Sequence, residues 1–293
     1  MAFQTESFGK WILAGEHAVL RGSPALVFPL KSRSMKISHE DGAEPLSVEF
    51  RGSKGSELEP LFWAVLERAC DLMRTPRSGL KGRLRIESTI PIGAGLGASA
   101  AFCVAMTRWF HHLGHLKKSD LAEFARTLEN LFHGESSGVD IAVAISGEGL
   151  HFEREGRQFA VVPKWRPRWF ISYTGQRGVT SDAVNKVKRL IEEKPEEGRR
   201  LDDRMKQAAR DGERALMMEE GEGLSLLIRS IDQAGSCFEA WGLAEGAVKQ
   251  HLEILKSAGA IAVKPTGSGG GGYVLSLWSE TPPSTLRETL IPC

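Results

Sequence analysis

Apolar and polar residues recur along the chain in patterns that divide it into short elements. Gly9 to Ala14 and Ala25 to Leu30 are apolar runs of strand length around the turn GEHAVLRGSP, and strand-like pieces follow at Met35 to His39 and Leu46 to Phe50. From Glu57 to Leu72 the apolar residues Leu58, Leu61, Phe62, Val65, Leu66 and Ala69 recur at spacings of three and four, which predicts a helix. Arg83 to Ser88 alternates, with Leu84 and Ile86 on one face and charged residues on the other, the pattern of a half-buried strand. A glycine-rich stretch, PIGAGLGASAA, then leads into an apolar helix from Ser99 to Leu113. Lys117 to His133 reads as another helix, with Ser119 or Asp120 as cap and Leu121, Phe124, Ala125, Leu128 and Phe132 as its buried stripe. After Asp140 the apolar run Ile-Ala-Val-Ala predicts re-entry into the core and a strand pair ending near Val162.

Pro163 and Pro167 flank a basic, tryptophan-containing connection, which places a domain boundary there: residues 1–163 as one domain and 164–293 as the second. The second half opens with a strand at Trp169 to Tyr173 and continues with charged helical sequence from Ser181 to Ala234. A helix at Leu243 to Ala258 and strands at Ala260 to Lys264 and Tyr273 to Trp278 complete it. Helices and strands mix without strict alternation, which favours an α+β class.

The charge balance narrows the function. With 38 Lys and Arg against 37 Asp and Glu in 293 residues, the net charge is +1, so there is no global electrostatic grip on nucleic acid or an anionic membrane. No stretch approaches the roughly 20 apolar residues of a membrane helix, and the N-terminus lacks a basic-then-apolar signal, so a cytoplasmic location is expected. The four cysteines are scattered without a CxxC pair, which excludes a zinc knuckle or a dense disulfide framework. His111, His112 and His115 lack a zincin glutamate and read as surface histidines.

Four segments carry candidate chemistry. In the first, Pro91, Gly93, Ala94, Gly95, Leu96, Gly97, Ala98, Ser99 and Ala100 form a loop whose three alternating glycines let backbone approach a ligand, directly before a helix start whose amides and dipole favour an anion. Ser99 can cap that helix or ligate a metal. An ordinary strand-to-helix turn has the same pattern, and this is not a Walker loop, because no Gly-Lys-Ser/Thr follows. In the second, Lys264 to Gly272, the glycines Gly267, Gly269 and Gly272 formally spell GxGxxG. A strand follows and only 21 residues remain, so a dinucleotide-binding βαβ unit does not fit. Four consecutive glycines suit backbone that passes close to a ligand or to another glycine loop. In the third, Glu129 lies at the edge of a buried helical stripe and needs a cation or hydrogen bonds there, while Asp140 follows the glycine-containing stretch HGESSGVD. Taken singly, these two acids read better as a surface glutamate pairing with a lysine and an aspartate capping a turn. In the fourth, Lys10 interrupts an apolar strand and is a candidate partner for Asp140 or for a phosphate.

In the order GEHAVL, PIGAGLGASAA, HGESSGVD and KPTGSGGGG, these segments resemble the GHMP kinases, and among them the mevalonate kinase branch. The resemblance spans Gly9 to Gly272. It implies the two-domain α+β GHMP kinase fold, with an N-terminal ribosomal-protein-S5-domain-2-like domain and a C-terminal ferredoxin-like α/β sandwich. It also implies ATP-dependent phosphorylation of the primary hydroxyl of mevalonate, with ATP and Mg²⁺ as cofactors. Residues Pro91 to Ala100 would wrap the ATP phosphates, and Ser99 and Glu129 would hold Mg²⁺. Asp140 would accept the hydroxyl proton, with Lys10 beside it and the γ-phosphate. Glu16, His17, His133, Ser137 and Thr180 would lie near the acceptor, with Gly267 and Gly269 helping to line the site. Retention of HGESSGVD favours mevalonate, whereas Glu135 keeps open another small alcohol such as phosphomevalonate or a sugar. A catalytically silent nucleotide-binding homologue is the alternative from another class. Neither nucleic acid nor membrane is an expected partner, and the oligomeric state, a homodimer included, stays open.

Overall fold

The computed structural model describes residues 3–52, 56–133 and 137–293, so Gly134, Glu135 and Ser136 lie outside the described residues, as does the His133 side chain. The chain divides into two compact units, each assembled from several segments.

The first unit comprises Met1–Lys10, Arg33–Ile92 and Gly97–Gly147. Its sheet is built from the first part of β1 (Phe3–Ala14), the second part of β2 (Ala25–Pro45), β3 (Ser47–Arg51) and β4 (Lys81–Ser88). β2 pairs antiparallel with β4, Ile37 opposite Ile86, and β3 pairs parallel with β4, Val48 opposite Leu84. Its helices are α1 (Glu59–Met73), α2 (Ala98–His112), α3 (Leu121–His133) and α4 (Val139–Ser146). Eleven of the fifteen residues of α2 are buried, as its nearly unbroken apolar sequence demands, and α3 and α4 both pack on it. Phe62 of α1 links Phe50 of β3 and Phe102 of α2 through ring contacts at 5.6 and 6.4 Å.

The second unit comprises Trp11–Ser32, Gly93–Leu96 and Glu148–Cys293. Here the start of β2 pairs with β5 (Leu150–Phe152), which pairs in turn with β6 (Gln158–Ala160). A separate antiparallel sheet is formed by β7 (Arg168–Tyr173), β8 (Ala262–Thr266), β9 (Tyr273–Trp278) and β10 (Ile291–Pro292), in the order β10-β7-β9-β8. Four helices belong to this unit: α5 (Thr180–Glu193), α6 (Pro195–Leu216), α7 (Glu220–Ala240) and α8 (Ala247–Ser257). α6 and α7 pack along their lengths, and α7 and α8 cover β8. Trp11 joins Phe28 and Trp169 at centroid distances of 4.9 and 4.7 Å, an aromatic centre for the core.

Two elements differ from the sequence expectation. Ala25–Leu30 and Met35–His39 are one strand, β2, because the polar Lys31–Ser34 segment continues the extended backbone and exchanges hydrogen bonds through Ser34 with Thr89. The apolar run directly after Asp140 is the helix α4, bracketed by Gly138 and Gly147, both with left-handed backbone, and the expected strand pair ending near Val162 follows it as β5 and β6. A short apolar run does not distinguish a buried strand from a buried helix, and here the flanking glycines decide. No described helix is long and apolar enough to cross a membrane.

Candidate active site

Within the first unit, the glycine loop ends at Gly97, which caps α2 in a left-handed conformation (φ 72°) and whose carbonyl accepts the helix's Ala101 amide at 3.0 Å. A Cβ on Gly97 would lie 2.8 Å from Lys10 Cγ and 3.6 Å from Asp140 Oδ2. Only glycine satisfies both the backbone angle and this close approach. The helix begins at Ala98, so Ser99 is its second residue rather than its cap.

Lys10 and Asp140 meet there. Their Nζ–Oδ1 distance is 3.2 Å, with side chains 7% and 25% exposed. Lys10 comes from β1, where burial among apolar neighbours calls for a counter-charge. Asp140 lies in the first turn of α4, where a carboxylate complements the helix dipole. Ser137 accepts the Val139 amide on its hydroxyl oxygen at 3.3 Å, shaping the turn into that helix. Glu129 is buried on α3, which removes the surface-glutamate alternative. Burial, and after it the charge of Glu129, push the Cys103 thiol well above its ordinary range.

The second unit gathers Glu16, His17 and Thr180 around the other glycine loop. Lys264, fully buried on β8, forms an ion pair with Glu16 and donates to the Ile12 carbonyl at 3.2 Å. Thr266 fastens the same place: its hydroxyl accepts the Ile12 amide at 2.9 Å and donates to the Ile12 carbonyl at 3.0 Å. His17 has a positive φ (59°, with ψ −48°) and donates from Nε2 to the Ser268 carbonyl at 2.8 Å. It stands edge-on to Trp241 at 5.1 Å. Desolvation lowers its pKa to about 4, so the imidazole is neutral near pH 7. Thr180, the first residue of α5, lies 3.4 Å from the Ser268 hydroxyl.

The loop from Gly267 to Gly272 is laid on the start of the first glycine loop. Cβ atoms at Gly267 and Gly272 would stand 3.3 Å from the Gly95 carbonyl oxygen and 3.0 Å from that of Ala94. The connection after β7 joins them: the Gly272 amide donates to the Gln176 carbonyl at 2.7 Å, and the Thr174 hydroxyl donates to the Gly272 carbonyl at 2.9 Å. In Gly269 a Cβ would meet the Phe238 ring at 2.8 Å.

Two participants escaped the sequence analysis. Lys264 was seen only as the start of a loop, although a lysine inside Ala-Val-Lys-Pro-Thr carries the same signal as Lys10. Arg177 was not singled out. Its guanidinium covers Gly93, whose Cβ would stand 2.7 Å from Arg177 Cζ, and among the described residues no carboxylate pairs with it. Its flanking Gly175 and Gly178, between a strand and a helix, were the available clue.

Residues 61–148 match the family model of the GHMP kinases N terminal domain. Mevalonate kinases of Thermococcus onnurineus and Pyrococcus abyssi are each 30% identical to the chain, over 92% of its length and 87% and 86% of theirs. The crystal structure of L. major mevalonate kinase in complex with R-mevalonate shares the fold, with a TM-score of 0.79 at 21% identity over 98% of this chain and 89% of that one. ATP is the phosphate donor this family implies. The chain therefore belongs to the GHMP kinases, among relatives that are mevalonate kinases, and is a phosphotransferase that acts on an alcohol.

Proposed function

We propose that the chain transfers the γ-phosphate of ATP to the primary hydroxyl of mevalonate, giving 5-phosphomevalonate. The observation that carries this is the Lys10–Asp140 pair held against Gly97, in a chain whose relatives at 30% identity are mevalonate kinases.

Phosphoryl transfer asks the protein for positioning and charge neutralisation rather than covalent help. The backbone from Gly93 to Gly97 and the first amides of α2 receive the phosphates. Arg177, beside Gly93, adds a full positive charge. Asp140 takes the proton from the acceptor hydroxyl as its oxygen bonds to the γ-phosphorus and the bond to the β,γ-bridging oxygen breaks. Lys10 presents its ammonium to the charge that develops. The resemblance assigns acceptor contacts to Glu16, neutral His17, Thr180, Gly267 and Gly269 of the second unit and to Ser137 of the first.

Mg²⁺ suits the donor set available. Ser99 on α2 and the buried Glu129 on α3 are oxygen donors on two helices that pack together, and Mg²⁺ takes oxygen ligands while drawing others from nucleotide and water. Bound there, the ion would neutralise phosphate charge.

The test is ADP release by the purified protein with Mg·ATP against mevalonate, phosphomevalonate, homoserine, galactose and no acceptor. Turnover with mevalonate alone is expected. Turnover with another acceptor keeps the phosphate machinery and overturns the acceptor. ATP binding without turnover on any of them points to a silent homologue.

A further inference from the structure

Arg108 is the residue of α2 that interrupts a run of buried side chains from Ala100 to Phe110. Its guanidinium is shared between two other elements. On one side Nη1 donates to the Glu6 carbonyl at 2.8 Å and to the Ser7 and Thr5 hydroxyls at 3.4 Å, all on β1. On the other, Nη2 donates to the Ile145 carbonyl at 2.9 Å and the Ala144 carbonyl at 3.5 Å, in the last turn of α4. Among the described residues no carboxylate pairs with it. Its positive charge instead meets the carbonyl end of the α4 dipole, where helix carbonyls lack intrahelical donors. Burial lowers the guanidinium's pKa from the ordinary arginine value, a sign that the contact is desolvated.

The two elements it joins carry the reacting pair. β1 bears Lys10, three residues after Ser7, and α4 bears Asp140, four residues before Ala144. α4 has only eight residues, about 12 Å of helix. A helix that short is poorly held by its own hydrogen bonds. Lys10–Asp140 joins strand and helix at one end of α4, and Arg108 joins them at the other. Two attachments fix both the spacing and the axial rotation of α4 against β1, which one would not.

We propose that Arg108 is a positioning residue for phosphoryl transfer, setting the geometry of Lys10 and Asp140 from the far end of α4. The planar guanidinium is the group that can serve both sides at once; a lysine ammonium on a flexible stem serves one. This rests on Asp140 acting as the base proposed above.

The experiment is a kinetic double-mutant cycle with Arg108→Met, Arg108→Lys and Asp140→Asn, using ADP release with saturating Mg·ATP and mevalonate, and thermal unfolding of each variant. Arg108→Met is expected to lower kcat about 10–100-fold while the KM values for ATP and mevalonate change less than about threefold, with Arg108→Lys in between. In the Asp140→Asn background the same Arg108 substitution should cost less than about threefold, because the residue acts through Asp140. A folded Arg108→Met protein with wild-type kcat, or equal losses in both backgrounds, overturns the assignment. If Arg108→Met does not fold, Arg108→Lys decides, and wild-type kcat in that variant overturns it too. Should Asp140→Asn alone retain near-wild-type turnover, the base has been misassigned, an outcome distinct from failure of the Arg108 brace.

Discussion

Lys10 Nζ stands 3.2 Å from Asp140 Oδ1, and the two side chains fill the space that a Cβ on Gly97 would need, 2.8 Å from Lys10 Cγ. A strand, a helix and a loop end thus converge on one ion pair, each restricted by the others. Removing the proposed proton acceptor without removing its volume isolates the chemistry. Asp140→Asn should fold normally and lose about 10²–10⁴ in turnover, the usual contribution of a positioned base. Comparison of kcat with the wild type decides this, and near-wild-type turnover would exclude Asp140 from proton transfer.

Gly97→Ala tests the crowding. The substitution forces a side chain into left-handed backbone, at a cost of about 1–2 kcal/mol, and pushes on Lys10. Both melting temperature and turnover should fall, the latter more than tenfold. Unchanged turnover would mean that the Lys10 position does not matter to catalysis.

Ser99→Ala and Glu129→Gln should chiefly weaken use of Mg·ATP. Titration of activity with Mg²⁺ at fixed ATP should show a raised requirement in both variants. If neither variant changes the Mg²⁺ dependence, these two side chains do not hold the ion.

The Glu16–Lys264 pair is buried on both sides, so removing one partner costs more than at an exposed pair. Lys264→Met should cost about 3–5 kcal/mol in denaturant unfolding. Combining it with Glu16→Gln should recover part of that loss, because the buried carboxylate charge is removed as well. A double variant no more stable than Lys264→Met would show that the two residues do not act as a pair.

His17 makes stability depend on pH. Its folded pKa of about 4 lies below the ordinary histidine value of 6.5, so the unfolded chain binds a proton more readily. The stabilisation is complete above pH 6.5 and is lost as pH falls through 4, up to about 3 kcal/mol. Replacing the imidazole with an amide that does not titrate, His17→Asn should flatten this slope between pH 7 and 4.5. An identical slope in variant and wild type would assign the dependence elsewhere.

Much of this site is legible in the order of residues. A lysine inside an apolar strand, a glycine loop before a helix and an aspartate after a glycine turn each announce themselves locally, because burial and backbone geometry restrict which residue types fit. What was hidden is the pairing of side chains distant in the chain. Nothing in the spacing around Lys264 names Glu16, 248 residues earlier, or tells which elements Arg108 will bridge. The helix after Asp140 was hidden for a different reason: its apolar run is too short to show a period, so its identity rested on the backbone angles of Gly138 and Gly147. Likewise the polar Lys31–Ser34 segment reads as a break although the strand runs on, since backbone hydrogen bonds do not register in side-chain polarity.

The contact of Gly267 and Gly272 with Ala94 and Gly95 is made by main chain. Such a contact has no rotamers. It surrenders no side-chain entropy when it forms and offers no second packing to settle into, so these two segments meet in one way or not at all. A loop fixed by the absence of side chains can keep its shape while the residues around it are exchanged.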